Sequence, residues 1–239
     1  MAKIKFPGNK SIALLLDPDK TKGESLQSIL RIAEGCGTDF IMTGGSLTFS
    51  SMDQMIDTVK ETCSIPLVLF PGNLLQLSCK PDLILLLSLI SGRNPELLIG
   101  NHVVAAPYLK NVREKLISVG YILIGCGSKT SVEYISQTEA IPSDKPDIAV
   151  ATSLAGEMLG LNMIYLEAGS GAPDPIPLKL IEAVRANISI PLAVGGGIRK
   201  KRQIEDIFNA GADLIVLGNG CEQNPELLPE ACSVRDKLR

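Results

Sequence analysis

Glycine interrupts the apolar runs in the last third of the chain at the points where strands should end. YLEAGSGA (165–172), VGGGIR (194–199) and DLIVLGNG (213–220) each begin as a β-like run and break into glycine. Such breaks free backbone N–H groups to face a phosphate. In parallel barrels these loops gather on one rim, often around a phosphate held after strands seven and eight. The pattern therefore predicts a parallel barrel that binds a phosphate-bearing substrate.

Length and composition agree with one α/β barrel spanning residues 1–239. A chain of 239 residues falls in the usual range for this fold. Hydrophobic residues make up 45% of the chain and charged residues 21%, so a large aliphatic core can be buried. The net charge of -3 offers no basic field for a polyanion, and nucleic acid is excluded as a partner.

The cysteines and the amino terminus bear on the compartment. The six cysteines show no CxxC spacing, which argues against a zinc knuckle or a redox pair. Residues 1–10 carry charge without an apolar stretch long enough for a signal peptide, and the apolar run 83–90 is too short to span a bilayer. We expect a cytoplasmic protein with at most peripheral membrane contact.

Strands and helices alternate along the chain. Apolar content and β-branching predict strands at 12–16, 40–43, 67–70, 83–87, 120–124, 163–166, 192–194 and 214–217. Helical periodicity predicts helices at 25–36, 51–62, 149–159, 177–186, 201–210 and 225–234, with another opened by Pro95 behind an Asn94 N-cap. Residues 71–82 are too few for a crossover helix and its loops. We therefore predict a modified (β/α)8 TIM barrel in which an irregular segment replaces the third helix.

Two segments at the ends of early strands offer oxygen ligands. LLLDPDK (14–20) places Asp17 directly after three leucines, where it could bind Mg²⁺ together with substrate phosphates; a simple Asp–Pro turn is the alternative. IMTGGS (41–46) adds the hydroxyl of Ser46 at the end of strand two, although GGS before a helix is also an ordinary N-cap.

The late loops carry the remaining candidates. Glu167 ends a strand beside glycines and is a candidate general base, because a carboxylate would repel a phosphate. Tyr165 and Ser170 could donate hydrogen bonds, although Tyr165 could equally be core. Gly196, Gly197, Gly218 and Asn219 resemble paired phosphate loops, with plain turns as the alternative.

Three further features leave their roles open. Arg199 could reach a second phosphate or lie in solvent. His102, the one histidine, has no second His or Cys beside it, which favours a structural or surface role over metal binding. Tyr108 and the apolar positions 98, 103, 104 and 109 fit either an apolar channel or core packing.

Five motifs in order carry a family resemblance. LLLDPDK, TGGS, YLEAGSGAP, VGGGIR and ADLIVLGNG, spread over 12–220, closely resemble the geranylgeranylglyceryl phosphate synthase family, which includes the bacterial PcrB-like prenyltransferases. SGRNPELLIGN resembles that family's segment before the fifth strand. The resemblance implies a barrel whose third helix is replaced, in agreement with the short connection at 71–82.

The resemblance also implies a reaction. The 3-hydroxyl of sn-glycerol 1-phosphate attacks C1 of a polyprenyl diphosphate, which releases diphosphate and forms an ether used in membrane ether-lipid biosynthesis. Geranylgeranyl diphosphate is the expected donor, and a longer, heptaprenyl-type diphosphate is the alternative. Asp17 and Ser46 would bind Mg²⁺ and the diphosphate, and Asp17 and Glu167 would be catalytic. Glycerol phosphate would be held by Tyr165, Leu166, Glu167, Ala168, Gly169, Ser170, Gly171, Gly196, Gly197, Gly218 and Asn219.

Two other functions stay open from the sequence. A sugar-phosphate isomerase would need the late phosphate loops but no apolar groove. A catalytically silent barrel could bind a lipid phosphate. We also expect a homo-oligomer, because barrels of this kind often pair through their outer helices.

Overall fold

A computed structural model describes residue 6 and residues 10–127 and 129–239. Most of residues 1–10, on which the prediction about a signal peptide rests, lie outside this range. Within it, parallel strands alternate with helices. No helix in the described chain is both long and apolar enough to cross a bilayer.

The strands close into a barrel. β1 pairs with β2 on one side and with β9 on the other, and β5 pairs with both β4 and β7, so the pairing of the described strands runs around a full circle. A two-residue strand, β6, pairs only with the end of β5 and stands outside the circle. The strands are β1 (Ser11–Leu16), β2 (Phe40–Thr43), β3 (Leu67–Leu69), β4 (Leu83–Leu89), β5 (Leu116–Gly125), β6 (Ile141–Pro142), β7 (Met163–Glu167), β8 (Leu192–Gly195) and β9 (Leu214–Leu217).

Both faces of the barrel strands are buried, which explains why they appear in the sequence as continuous apolar runs. Ile12 and Leu14 of β1 pack outward against the helices, whereas Ala13 packs into the barrel interior. The same alternation places Tyr165 inside and Leu166 outside. The direction of each side chain at the end of β7 therefore follows from this alternation along the strand.

The helices form the outer layer. α1 buries Leu26, Ile29, Leu30 and Ala33, which lie on one face at helical spacing. The Ser51 hydroxyl caps α2 by accepting from Gln54 N at 3.4 Å. The helices are α1 (Gly23–Gly35), α2 (Met52–Thr62), α3 (Asn101–Leu109), α4 (Ser131–Ser136), α5 (Pro146–Met158), α6 (Leu178–Arg185), α7 (Lys201–Asn209), α8 (Asn219–Gln223) and α9 (Leu227–Leu238).

The predicted irregular segment lies between β3 and β4. Its one regular feature is a single 3₁₀ turn, Leu74–Gln76, which begins where the Asn73 side chain accepts from Leu75 N. No α-helix covers the barrel in residues 70–82. The modified TIM barrel predicted from the length of this connection is confirmed.

The helix predicted after Asn94 begins differently from expectation. Asn94 Oδ1 accepts from Glu96 N at 3.0 Å, the bond expected of a capping side chain, but the first turn, Glu96–Gly100, is a π-helix that continues into α3. The following strand was predicted to start at residue 120 and starts at Leu116 instead. A 3₁₀ turn, Lys110–Lys115, leads directly into this strand. Because no Gly or Pro stands between the turn and the strand, the sequence carries no signal for where β5 begins.

Candidate active site

A cavity of about 590 Å³ opens at the carboxyl ends of the barrel strands. Loops that follow β1, β2, β5, β7, β8 and β9 line it. This is the rim at which loops from different strands converge in a barrel of this type. The cavity is therefore the place where residues far apart in sequence can act together.

Most of the predicted site residues meet in this cavity. Its lining includes Asp17, Ser46, Tyr165, Glu167, Gly169, Ser170, Gly171, Gly196, Gly197, Gly218 and Asn219. Leu166 and Ala168 do not belong to the lining, because their side chains pack outward in the layer between barrel and helices. The backbone N–H of Ala168 donates a hydrogen bond to Gly195 O at 3.0 Å. These two residues can thus contribute little to a ligand beyond carbonyl groups.

Glu167 is a buried carboxylate at the end of β7. It is 6% exposed, and Gly169 N donates to its Oε1 at 2.6 Å. Burial raises the pKa of the Glu167 carboxyl to about 7, and the hydrogen bond from Gly169 opposes that rise. A carboxylate with this acidity can exchange a proton with a substrate at neutral pH.

Three aromatic rings surround the floor of the cavity next to Glu167. Tyr165 stacks on Phe70 at 5.5 Å between ring centroids, and Tyr121 lies 5.3 Å from Tyr165 and 5.8 Å from Phe70. The Tyr165 hydroxyl is buried and makes no hydrogen bond of good geometry within the described residues, but it lies beside the Glu167 carboxylate and lowers the pKa of that group. Burial raises the pKa of the Tyr165 hydroxyl well above the ordinary value, so it remains a neutral donor. A buried hydroxyl without a hydrogen bond of good geometry marks a place for a polar ligand atom.

Asp17 closes a turn and also lines the polar cavity. Its Oδ1 accepts from Asp19 N at 2.9 Å, which closes a turn, while Oδ2 lies 3.3 Å from Lys20 Nζ at the cavity. Ser46 lines the same cavity from the loop after β2. The described residues contain no cluster of three or more His, Cys, Asp or Glu side chains that could hold a metal by themselves. This donor set fits Mg²⁺ only as part of a shell completed by ligand phosphates and water.

Asp19 has a structural role. Its carboxylate accepts from Phe49 N at 2.7 Å and from Ser50 N at 2.8 Å. Hydrogen bonding from the Ser50 side chain first, and then from the Phe49 backbone, lowers the pKa of Asp19. Asp19 thereby fixes the long loop between β2 and α2, which also carries Ser46. The DPD sequence thus positions one carboxylate at the cavity and uses the other to hold a neighbouring loop.

Arg199 ties two of the late loops together. Its guanidinium donates to Pro173 O and Ala172 O at 2.8 Å each, and to Gly197 O at 3.4 Å. The side chain bridges the loops after β7 and β8 and also lines the polar cavity, so its contact with a phosphate stays a prediction. Ser170 adds a smaller link by donating to Asn219 Oδ1 at 3.3 Å. The loops that face the cavity are thus held by side chains as well as by the sheet.

A second, apolar cavity of about 250 Å³ adjoins the first. The two share part of their lining, including Ser46, Phe70 and Tyr121. Leucines of β4, the segment 71–77, Leu97, the inner face of α3 and residues of α4 form its remaining wall. It extends from the polar cavity toward the side of the barrel where the third helix is missing.

The structure assigns the residues of α3 that the sequence left open. His102 lines the apolar cavity, and its Nε2 lies 2.8 Å from Leu87 O, as expected of a donated hydrogen bond. Val103, Val104 and Tyr108 are more than half exposed and face away from it, while Leu109 is buried. The channel suggested for that face is therefore formed by the opposite one, through Asn101, His102 and Ala105.

Several cavity residues were not found from the sequence. Tyr121 lies in an ordinary apolar strand, so nothing distinguishes it from core. Glu222 and Lys129 sit in short segments without a motif, although both line the polar cavity. Burial raises the pKa of Glu222, with nearby Lys20 lowering it and Asp17 raising it further. Their proximity arises from the closing of the barrel and leaves no local signal.

Fold and site together define a (β/α)8 barrel with a polar cavity at its rim and an apolar side cavity, and the comparisons with known proteins agree. The model of the PcrB family matches residues 8–233. The geranylgeranylglyceryl phosphate synthases of Spirosoma linguale and Chitinophaga pinensis are 47% and 46% identical over 96% and 95% of this chain and 93% and 90% of their own. A crystal structure of (S)-3-O-geranylgeranylglyceryl phosphate synthase from Thermoplasma acidophilum with sn-glycerol-1-phosphate superposes with a TM-score of 0.89 at 32% identity, covering 96% of this chain and 94% of that one. The chain belongs to the PcrB family.

Proposed function

We propose that this protein is a prenyltransferase that joins the 3-hydroxyl of sn-glycerol 1-phosphate to C1 of geranylgeranyl diphosphate in membrane ether-lipid biosynthesis. Diphosphate is released and an ether is formed. The names of the similar enzymes, and the ligand of the Thermoplasma acidophilum structure, support this substrate pair.

One observation carries the proposal. The polar cavity, with its glycine loops and Glu167, shares a wall with an apolar cavity at Ser46, Phe70 and Tyr121. A sugar-phosphate isomerase would need the first cavity and has no use for the second. A substrate with a phosphate-rich head and a hydrocarbon tail would occupy both.

Glu167 would act on the attacking hydroxyl. As the glycerol oxygen forms its bond to C1, the bond from C1 to the diphosphate oxygen breaks and the hydroxyl proton passes to the Glu167 carboxylate. Because Gly169 N donates to Oε1, the proton would pass to the second oxygen of the carboxylate. With a pKa of about 7, Glu167 is partly deprotonated at neutral pH and can accept it.

The binding roles follow from the positions of the other groups. Glycerol phosphate would lie against Gly169, Ser170 and Gly171 on one side and Gly196, Gly197, Gly218 and Asn219 on the other. The buried Tyr165 hydroxyl, which lies beside Glu167, would donate to a glycerol oxygen. Phe70, Tyr121 and Tyr165 would present ring faces to positive charge that develops at C1.

Magnesium is proposed as the cofactor, bound by Asp17 and Ser46. When bound, it would neutralise charge on the diphosphate and make it a better leaving group. Lys20 and Lys129 bring further positive charge to the same cavity. The site then depends on the substrate to complete the metal shell, which fits the small number of protein ligands.

Incubation of the purified protein with radiolabelled sn-glycerol 1-phosphate and prenyl diphosphates of several lengths, followed by organic extraction, tests the proposal. We expect labelled ether with geranylgeranyl diphosphate. Faster turnover of a heptaprenyl donor would favour the longer-chain alternative. Binding of both substrates without any ether would favour a silent lipid-phosphate binding protein.

We further propose that the protein acts in the cytoplasm, touches the membrane at most peripherally and self-associates. Ile99, Val103, Val104 and Tyr108 on α3 and the turn before it are each at least 55% exposed, and burial of such side chains between copies would favour association. Light scattering on the purified chain measures the oligomeric state.

A further inference from the structure

Gln76 is a buried amide in the segment that replaces the third helix. It is 2% exposed and ends the 3₁₀ turn after β3. Its Nε2 donates to Gly45 O at 2.7 Å, and its Oε1 accepts from Gly72 N at 3.0 Å and from Gly45 N at 3.4 Å. Both ends of the amide are therefore engaged with backbone, on two different loops.

The orientation of this amide follows from its partners. The oxygen faces two N–H donors and the nitrogen faces a carbonyl, whereas the flipped amide would place like against like at all three contacts. A side chain with only acceptors, or with no polar atoms, cannot make the same set of bonds.

Gln76 joins two loops that otherwise touch through bare backbone. A Cβ on Gly72 would lie 2.1 Å from Gly45 O, so the loops approach more closely than any side chain would allow. The nearest backbone hydrogen bond between them, from Phe70 N to Thr43 O at 2.8 Å, belongs to the end of the sheet. Beyond the sheet, Gln76 supplies the hydrogen bonds that fix Gly45 against Gly72.

These loops differ in the cavities that they line. Gly45 and Ser46 line both cavities, beside Asp17 in the polar one, whereas Gly72 lies in the segment 71–77, which lines the apolar cavity alone. The Gln76 amide lies at the point where both cavities share their lining. It touches neither reacting group, and any influence on the reaction must pass through the backbone of these loops.

We infer that Gln76 is a positioning residue for the prenyl diphosphate: it fixes the loop that faces the diphosphate head to the segment that contacts the prenyl tail. This inference rests on the proposed function. Loss of the amide should weaken binding of the diphosphate group while the glycerol phosphate loops, on the opposite side of the cavity, keep their geometry.

Gln76→Met tests the inference, because Met has similar size and makes none of the three hydrogen bonds. Gln203→Met is the matched control, since Gln203 Oε1 accepts from Arg199 N and Lys200 N, at 2.9 and 3.0 Å, in the loop after β8. Calorimetry measures the affinity of each protein for inorganic diphosphate with Mg²⁺ and, separately, for sn-glycerol 1-phosphate. Thermal melting checks folding.

We expect Gln76→Met to weaken diphosphate binding by about tenfold and glycerol phosphate binding by less than about twofold. Gln203→Met should leave diphosphate binding unchanged. Wild-type diphosphate affinity in Gln76→Met, or equal weakening of both ligands, would overturn the inference. If Gln76→Met fails to fold, Gln76→Glu retains both accepted bonds, lacks the donor to Gly45 O, and is subject to the same comparison.

The binding measurements do not depend on turnover. A wild-type protein that binds diphosphate and forms no ether would contradict the proposed function and leave the comparison of the two variants intact. A wild-type protein that binds no diphosphate would overturn the role of Gln76 itself.

Discussion

At the scale of single residues, the surroundings of Glu167 set its chemistry. The carboxyl is enclosed by the barrel, where Gly169 N donates to one of its oxygens and the Tyr165 hydroxyl lies close by. Asp17 and Asp19, by contrast, lie on a partly open loop with partners close at hand. Burial in the first environment raises the pKa of Glu167 to about 7, whereas hydrogen bonds lower the pKa of Asp19.

Glu167→Gln should keep the shape of this side chain and remove its ability to accept a proton. We expect turnover to fall on the order of a hundredfold or more, with much smaller changes in substrate affinity. Steady-state kinetics with both substrates measure the two effects. Normal turnover by the variant would reject Glu167 as the base.

The same variant should be more stable than the wild type above neutral pH. The folded-state pKa of Glu167 is about 7, above its ordinary value of 4.5, so the folded protein keeps a proton that the unfolded chain has lost. Below pH 4.5 Glu167 is protonated in both the folded and the unfolded state. The loss of folding stability caused by ionising the buried carboxyl grows as the pH rises to 7 and then stays constant. Gln does not ionise, so the free energy of unfolding of the variant should exceed that of the wild type by up to about 3 kcal/mol at pH 8. Urea unfolding at pH 5 and pH 8 measures this gain, and an equal effect at both values would contradict the prediction.

Asp17→Asn should lower turnover at moderate Mg²⁺ by at least about tenfold, because even indirect partners of metal ligands cost that much when lost. Excess Mg²⁺ should restore part of the activity. Asp206→Asn is the control, since Asp206 is a partly exposed carboxylate on α7 paired with Arg202 at 3.7 Å. Full activity of Asp17→Asn, or of the wild type in excess EDTA, would remove the metal role.

At the scale of elements, the loops after β7 and β8 behave as one unit. Arg199 joins them through three carbonyls, and Gly197 packs directly against the backbone of Asp174. The glycines of VGGGIR are thus needed for close approach between loops, as well as for any approach to a phosphate.

Gly197→Ala should therefore reduce both stability and glycerol phosphate affinity. Gly197 has φ +70°, and a Cβ there would lie 2.2 Å from Asp174 O. Gly160→Ala is the matched control: φ is +83° and no atom lies within 4 Å of the new Cβ, so it carries the backbone strain of about 1 kcal/mol without the clash. Thermal melting and calorimetry compare the two. A Gly197 variant no worse than the Gly160 variant would show that the loop can adjust.

The elements that the sequence predicted well are those that bury a regular pattern of apolar side chains. Barrel strands appear as unbroken apolar runs and the outer helices as amphipathic ones, so most of their positions agree with the structure to within a few residues. The turn that carries Gln76 and the short α4 and α8 bury few apolar side chains and left no periodic pattern. The cavity residues near strand ends followed from glycine and carboxylate positions, whereas Tyr121 and Gln76 depend on contacts between distant segments and could not be found in this way.

At the scale of the whole molecule, the absence of an α-helix between β3 and β4 creates the apolar cavity. Where that helix would cover the barrel, the segment 71–77 and α3 leave a space between them. The prediction of an irregular connection was correct from chain length alone. That this irregularity opens an apolar space beside the polar cavity required the three-dimensional arrangement of α3.

Ala105→Phe should partly fill this space. Ala105 is 4% exposed and lines the apolar cavity, so a larger ring would compete with the prenyl chain. We expect kcat/KM to fall more for geranylgeranyl diphosphate than for a ten-carbon donor, with a folding cost of about 1 to 3 kcal/mol. Val103→Phe is the control, because Val103 is 65% exposed on the other face of α3. An equal loss for both donors would mean that the cavity does not measure chain length.

The wall shared by the two cavities has a consequence for how the reactants meet. Glycerol phosphate dissolves in water and a long prenyl chain in oil, and in bulk they encounter each other only where those phases touch. Ser46, Phe70 and Tyr121 bring a polar chamber and a hydrocarbon chamber together at one place inside a single protein. The barrel thus contains an interface between a polar and an apolar cavity that is a few residues wide, and Glu167 lines the polar cavity beside it.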